Sequence, residues 1–201
     1  MAPPPPRGPT STPGSQPCPR PSTLNALLAL ARAIDRLNTA IGRMVCWLTL
    51  VVVVVAVANA LLRYGFRLGS NAFIEAQWYL FALIFLFGAA YTLKRGGHVR
   101  VDVLYGRMSP RRQAWVDILG TLLFFLPATI GLTVLSLPMV EASIAVWERS
   151  PDVGGLPRWP IKLAIPIAFA LLSLQGVSEI IKRVGFLRGL APAPELRREL
   201  Q

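Results

Sequence analysis

The chain has 201 residues, of which 53% are hydrophobic and only 15% charged. A soluble domain of ordinary composition carries about 25% charged residues, so the balance argues against one. The formal charge is nevertheless +11, from 21 Lys+Arg against 10 Asp+Glu. That excess suits either a nucleic-acid surface or a membrane protein whose positive loops lie on one side. The basic residues fall in gaps between long charge-free runs, which excludes the nucleic-acid reading and selects the membrane. Two cysteines and a single histidine leave no disulfide framework, metal quartet or bis-His haem site. Neither a cofactor nor a metal is expected.

In chain order, residues 1–22 hold nine prolines and almost no large apolar side chain. Such a segment cannot offset its chain entropy by burial and is expected to be a disordered tail. It lacks the apolar stretch and small-residue cleavage site of a signal peptide. Over residues 23–43 the pattern changes: Leu24, Leu27, Leu28, Ile34, Leu37 and Ile41 recur at helical spacing, with Arg32, Asp35 and Arg36 between them. This predicts an amphipathic helix suited to the membrane surface and running into a first span. Cys46, at the start of the next apolar run, reads as a small packing residue.

Four charge-free runs follow, at 44–62, 76–93, 118–140 and 163–178. A membrane helix needs about 20 residues, so spans are expected at about 44–62, 74–93, 118–140 and 160–180, forming one membrane domain over residues 44–185. Pro127 and Pro138 should kink the third span, whereas Pro160 and Pro166 lie near the start of the fourth, where proline costs least. Ser109 and Pro110 read as the N-cap and first residue of a helix leading past Trp115 into span three. Trp47, Trp78, Trp115, Trp147 and Trp159 all lie near a span end, where indole prefers the interface. Residues 186–201 are left as a short tail. The fold class is all-α: an integral membrane protein of four transmembrane helices with an amphipathic N-terminal helix.

Loop charges set the orientation. The two ends and the middle loop together hold 16 Lys+Arg, against 5 in the other two loops. The positive-inside rule therefore places both termini and residues 94–112 in the cytoplasm, and residues 63–72 and 141–160 outside.

No nucleophile–base pair, phosphate-cradling loop or metal spacing is present, and no enzyme activity is expected. Glu75 is the one carboxylate at the start of span two. It reads either as an ion or proton ligand or as an acidic residue in the first turn of a helix, stabilised by the dipole near the outer interface. Its place at the edge of the span favours the second. Gly88 and Ala89, deep in the same span, are small enough to let another helix approach closely. Together with Glu75 and Gln77 they are the candidate packing or partner-interface residues. The alternating segment from His98 to Tyr105 reads as interfacial, with Arg95, His98, Arg100 and Arg107 as candidate headgroup or cytoplasmic-loop contacts.

At these residues the sequence resembles the small membrane subunit of tripartite ATP-independent periplasmic (TRAP) transporters, the DctQ-like family. The likeness begins at Glu75 to Phe81 (EAQWYLF) and continues through Gly88 to Tyr105 (GAAYTLKRGGHVRVDVLY). It resumes at Ser109 to Asp117 (SPRRQAWVD) and Ser150 to Lys162 (SPDVGGLPRWPIK). The resemblance implies a three-part importer of the bacterial inner membrane. A periplasmic solute-binding protein captures an organic anion, a large permease subunit carries it with coupled sodium ions, and the small four-helix subunit braces the large one. The late GGLP segment is similar to the branch associated with 2-oxo acids or similar carboxylates. A small multidrug exporter would need a carboxylate well inside its first helix, and span one has none. The remaining alternative is a membrane-anchor subunit of a respiratory oxidoreductase, which the single histidine disfavours.

Overall fold

The computed structural model describes residues 23–67, 69–96 and 108–189. Four long apolar helices account for most of them. Helix α1 (Thr23–Gly65) is continuous over 43 residues, about 64 Å at 1.5 Å per residue and roughly twice the hydrocarbon thickness of a bilayer. Helix α2 (Asn71–Lys94) follows after a short connector. Helix α3 spans Pro110–Ala145 and helix α4 spans Trp159–Leu187. Among the described residues there is no strand, only one isolated backbone bridge between Arg149 and Pro157.

The expected N-terminal amphipathic segment is the first half of α1 rather than an element of its own. Its buried residues, Ala31, Ile34, Asn38 and Gly42, recur every three or four positions and so form one stripe. The other half of α1 carries the valine run, which is almost wholly unburied within the chain. Cys46 lies on that outer face and is exposed, so it is not the internal packing residue expected from the sequence.

Helix α4 is the hub, packing against α1, α2 and α3, whereas α3 finds its main partner in α4. The reason is legible in α4's inward stripe of Ala164, Ala168, Leu172, Gly176 and Ser178. Lipid tails are as apolar as leucine, so helices in a membrane gain by close backbone approach and interhelical hydrogen bonds, which small residues permit. Helix α3 answers with a stripe of its own, Thr129, Ser136 and Ser143 at spacings of seven, with Val140 between the last two. Mid-helix, Ser173 donates from α4 to the Thr129 hydroxyl at 2.9 Å.

The prolines of α3 act as the covalent geometry requires. Pro127 has no N–H to give to the carbonyl four residues back, and the preceding segment, Thr121–Phe125, is wound as a π turn. The Thr129 hydroxyl donates to the Phe125 and Leu126 carbonyls at 3.0 and 3.2 Å, which satisfies acceptors beside the irregular turn. Helix α3 continues through Pro138. Pro110 occupies its first turn with Ser109 extended before it, although Ser109 makes no side-chain cap.

Large apolar side chains such as Leu50, Val54, Phe85, Phe124 and Leu135 are exposed on the outside of this bundle. A surface of that extent is untenable in water and ordinary in lipid.

Candidate functional site, a latched loop and a buried polar node

Polar side chains converge at both ends of the bundle. At one end, the loop from Val146 to Arg158 closes on itself. Ser150 N–H donates to the Leu156 carbonyl at 3.1 Å and Arg158 N–H to the Glu148 carbonyl at 2.9 Å, with the Arg149–Pro157 bridge between them. The turn at its tip needs Gly154 at φ +76, a conformation that L side chains rarely adopt. Gly155 is required for space, since a Cβ there would lie 2.8 Å from Ser150 Oγ and 3.0 Å from Glu75 Oε1.

Glu75 fastens this loop to α2. Its side chain is 4% exposed. It accepts the Ser150 hydroxyl at Oε1 and the Leu156 N–H at Oε2, the latter at 2.6 Å. Charge-assisted bonds of this kind are roughly twice as strong as neutral ones. The sequence reading of Glu75 as a first-turn carboxylate held by the helix dipole is therefore corrected. The first turn of α2 carries no acidic residue, and Glu75 is spent on two acceptor bonds across the fold. Nearby, Asn71 donates to the Val153 carbonyl at 3.2 Å. Glu148 pairs with Lys162 and accepts the Ser143 hydroxyl at 2.6 Å. The Lys162 ammonium and then the Ser143 hydroxyl hold the Glu148 carboxyl below the usual carboxylate range. Trp147 stands edge-on to Trp159 with ring centroids 5.8 Å apart.

At the other end, Asp35 is the junction of three helices. Its carboxylate accepts from Gln175 Nε2 at 2.9 Å, Ser178 Oγ at 3.0 Å and Lys182 Nζ at 3.1 Å, all on α4. Its backbone carbonyl accepts Lys94 Nζ from α2 at 3.2 Å, and Lys94 also reaches the Thr39 hydroxyl. Gln175, oriented by Asp35, accepts from Asn38 Nδ2 at 2.7 Å. Gln175 and Ser178 are fully buried and Asn38 is 1% exposed. Helix α3 joins through the Asp117–Arg183 pair at 2.7 Å. The sequence reading placed Asp35 among polar residues between apolar positions and passed over Asn38, Gln175 and Ser178. The available signal was that Asn38 shares the inward stripe with Ile34 and that Gln175 interrupts an otherwise apolar run.

The remaining candidates divide. Gln77 is half-buried, and its Nε2 is shielded without a hydrogen-bond partner among the described residues. Gly88 faces α1, but a Cβ there would meet only Val45 Cγ1, at an ordinary 3.8 Å. The tight helix crossings are elsewhere: a Cβ on Gly42 would lie 2.9 Å from Tyr91 Cβ, and one on Gly176 2.9 Å from Phe125 Cε1. Ala89 is half-buried, and its neighbour Ala90, 2% exposed, is the packed residue of that trio. Arg95 caps α2, its guanidinium over the Tyr91 ring at 5.1 Å. His98, Arg100 and Arg107 lie outside the described residues. Among those described, no group of His, Cys, Asp and Glu is arranged to hold a metal ion.

The comparisons with known proteins agree with this architecture. Residues 52–185 match the family described as tripartite ATP-independent periplasmic transporters, DctQ component. The C4-dicarboxylate TRAP transporter small permease protein DctQ of Rhodobacter capsulatus is 37% identical over 100 residues, covering 48% of this chain and 41% of that protein. Its namesake from Pseudomonas aeruginosa is 31% identical over 121 residues, covering 57% of this chain and 53% of that protein. The chain thus matches about half, or less, of the length of these two relatives. No solved structure matches it. The match across most of the four-helix region, including the latched loop, means that the chain belongs to the DctQ-component family of TRAP transporters.

Proposed function

We propose that the chain is the small permease subunit of a three-part importer in the bacterial inner membrane, a structural brace for a large permease subunit. The observation that carries this reading is the pair of polar girdles described above. The Asp35 node ties all four helices near one end, the latched loop ties α2, α3 and α4 near the other, and long apolar faces, above all on α1, are left turned outward. A carrier domain that moves during transport needs a neighbour that does not, and helices tied at both ends suit that role. The solute is proposed to be a C4-dicarboxylate or a related organic anion, after the two relatives named for C4-dicarboxylate transport. The 2-oxo acids suggested by the GGLP segment are the competing class. Sodium coupling and dependence on a periplasmic binding protein follow from the family resemblance. Both termini and residues 94–112 face the cytoplasm by the charge asymmetry of the loops. Membrane lipids cover the apolar flanks that the large subunit leaves free.

The test is reconstitution. Purified chain alone in liposomes should take up no dicarboxylate under an inward sodium gradient. Adding the large subunit and the binding protein should produce uptake that collapses with the gradient. Comparable uptake by the isolated chain would refute the brace reading.

A further inference from the structure

We propose that the outer side of α3, along Pro127 and Pro138, seats a membrane helix of the large permease subunit, and that this helix donates hydrogen bonds to two backbone carbonyls which α3 leaves without a donor. The inference rests on the brace reading above and names the face of this chain that carries it.

Each proline removes an N–H from the helix. The Val134 carbonyl would take its α-helical bond from residue 138, which is a proline inside a continuing helix. The Leu122 carbonyl loses both of its possible donors. Across the π turn the Leu126 N–H goes to the Thr121 carbonyl, and the next residue is Pro127. The neighbouring hydroxyls serve other carbonyls. Thr129 donates to Phe125 and Leu126, Thr133 to Thr129 and Ser136 to Thr133.

Both carbonyls lie within the hydrocarbon. In the charge-free run 118–140, Leu122 and Val134 stand about 6 and 9 Å inside the two ends at 1.5 Å per residue. The prolines also face away from the bundle. Pro127 and Pro138 are eleven residues apart, close to three full turns, and so share one side of the helix. Thr129 and Ser136, in the stripe that meets α4, lie about half a turn round from them. On the proline side Leu123, Pro127, Val134 and Pro138 are exposed, and a Cβ on Gly131 between them would meet nothing in the chain.

Lipid tails have no donor to offer, and a backbone carbonyl left unpaired in hydrocarbon is costly. Headgroups and water lie beyond the ends of the run. Two copies of this chain set back to back would bring acceptor against acceptor. A helix bearing Ser, Thr, Asn or Gln supplies what is missing, since such side chains bond across helices in membranes. The two carbonyls are roughly 17 Å apart along the axis, so its donors should recur after about three turns.

The test uses the full chain and the large subunit, titrated against each other in detergent and then reconstituted together in liposomes. Benzoylphenylalanine at Leu123 or Val134 should photocrosslink to the large subunit in the liposomes. Pro127→Ala and Pro138→Ala each return an N–H to α3, so each should raise the thermal midpoint of this chain alone. Combined, they should weaken association with the large subunit about tenfold, the order expected for two interhelical bonds. Leu137→Ser keeps both prolines and offers the Val134 carbonyl a hydroxyl from three residues on. It should bind the large subunit about threefold more weakly than Leu137→Ala does.

Crosslinks to lipid or to a second copy, with none to the large subunit, would overturn the docking surface. Lower midpoints for both proline variants would show that the carbonyls were not short of donors. Unchanged association in the double proline variant, with equal binding by the two Leu137 variants, would overturn donation by the partner. A wild-type chain that fails to bind the large subunit at all would instead defeat the brace reading on which the inference stands.

Discussion

Two glycines on the α1–α2 crossing should respond to the same substitution with opposite signs. Gly42 is buried, and a Cβ built on it lies 2.5 Å from Tyr91 Cδ2 and 2.9 Å from Tyr91 Cβ. Comfortable carbon–carbon contacts are about 3.5–4.0 Å, so Tyr91 or the helix itself must retreat by roughly an ångström. The crowded atoms sit at the root of the ring rather than at a flexible tip, and rotating χ1 would pull the ring from beneath the Arg95 guanidinium. Overpacking of this kind costs about 1–3 kcal/mol. Replacing an interior helical glycine by alanine returns up to about 1 kcal/mol, so Gly42→Ala should be destabilising by up to ~2 kcal/mol in net.

At Gly88 the same Cβ meets Val45 Cγ1 at 3.8 Å, an ordinary contact. Only the propensity gain remains, and Gly88→Ala should be neutral to stabilising by up to ~1 kcal/mol. For a chain of this size 1 kcal/mol moves the midpoint by about 2–4 °C, which a thermal-shift measurement on the purified protein in detergent resolves. Gly42→Ala should lower the midpoint and Gly88→Ala should hold or raise it. Truncating Tyr91 to Ala should erase most of the Gly42→Ala penalty in a double-mutant cycle. Equal effects at the two glycines, or a Gly42 penalty that survives loss of Tyr91, would refute the crossing.

Gln175→Leu should destabilise by about 1–3 kcal/mol, because it strands the Asn38 amide and removes a donor from Asp35. Adding Asn38→Leu should recover part of the loss in the same assay, since replacing both partners leaves nothing unpaired. Glu148, depressed by Lys162 and Ser143, contributes stability that is complete above the unfolded carboxyl pKa of about 4.3 and is lost as pH falls through the lower folded value. The thermal midpoint should therefore drop on acidification below pH ~4, and Glu148→Gln should be less stable at neutral pH with a flatter acid limb. In a Cys-free background, Asp152→Cys should react with an impermeant thiol reagent from outside spheroplasts and Arg111→Cys should not. The reverse pattern would invert the topology.

The four helices were legible in the chain because a bilayer imposes a length and a polarity that any spanning segment must meet by itself. The charge-free runs answer to that requirement whatever their neighbours are. The family resemblance was legible for a related reason: the Ser150–Lys162 stretch is a local motif, and its Gly154 answers to a backbone turn. The order of packing was not legible. Nothing in the hydropathy of α4 distinguishes it from its neighbours, and its central place depends on which small residues find which opposing stripe. Likewise a carboxylate near the start of a span reads as a dipole contact until Ser150 and Leu156, distant in sequence, are brought against it. Asp35 and Gln175 are separated more widely still, and neither shows its partner in the local pattern. In lipid a polar side chain must be satisfied by another part of the protein. Residue type therefore announced that Glu75, Asn38 and Gln175 needed partners, and only the tertiary fold chose them.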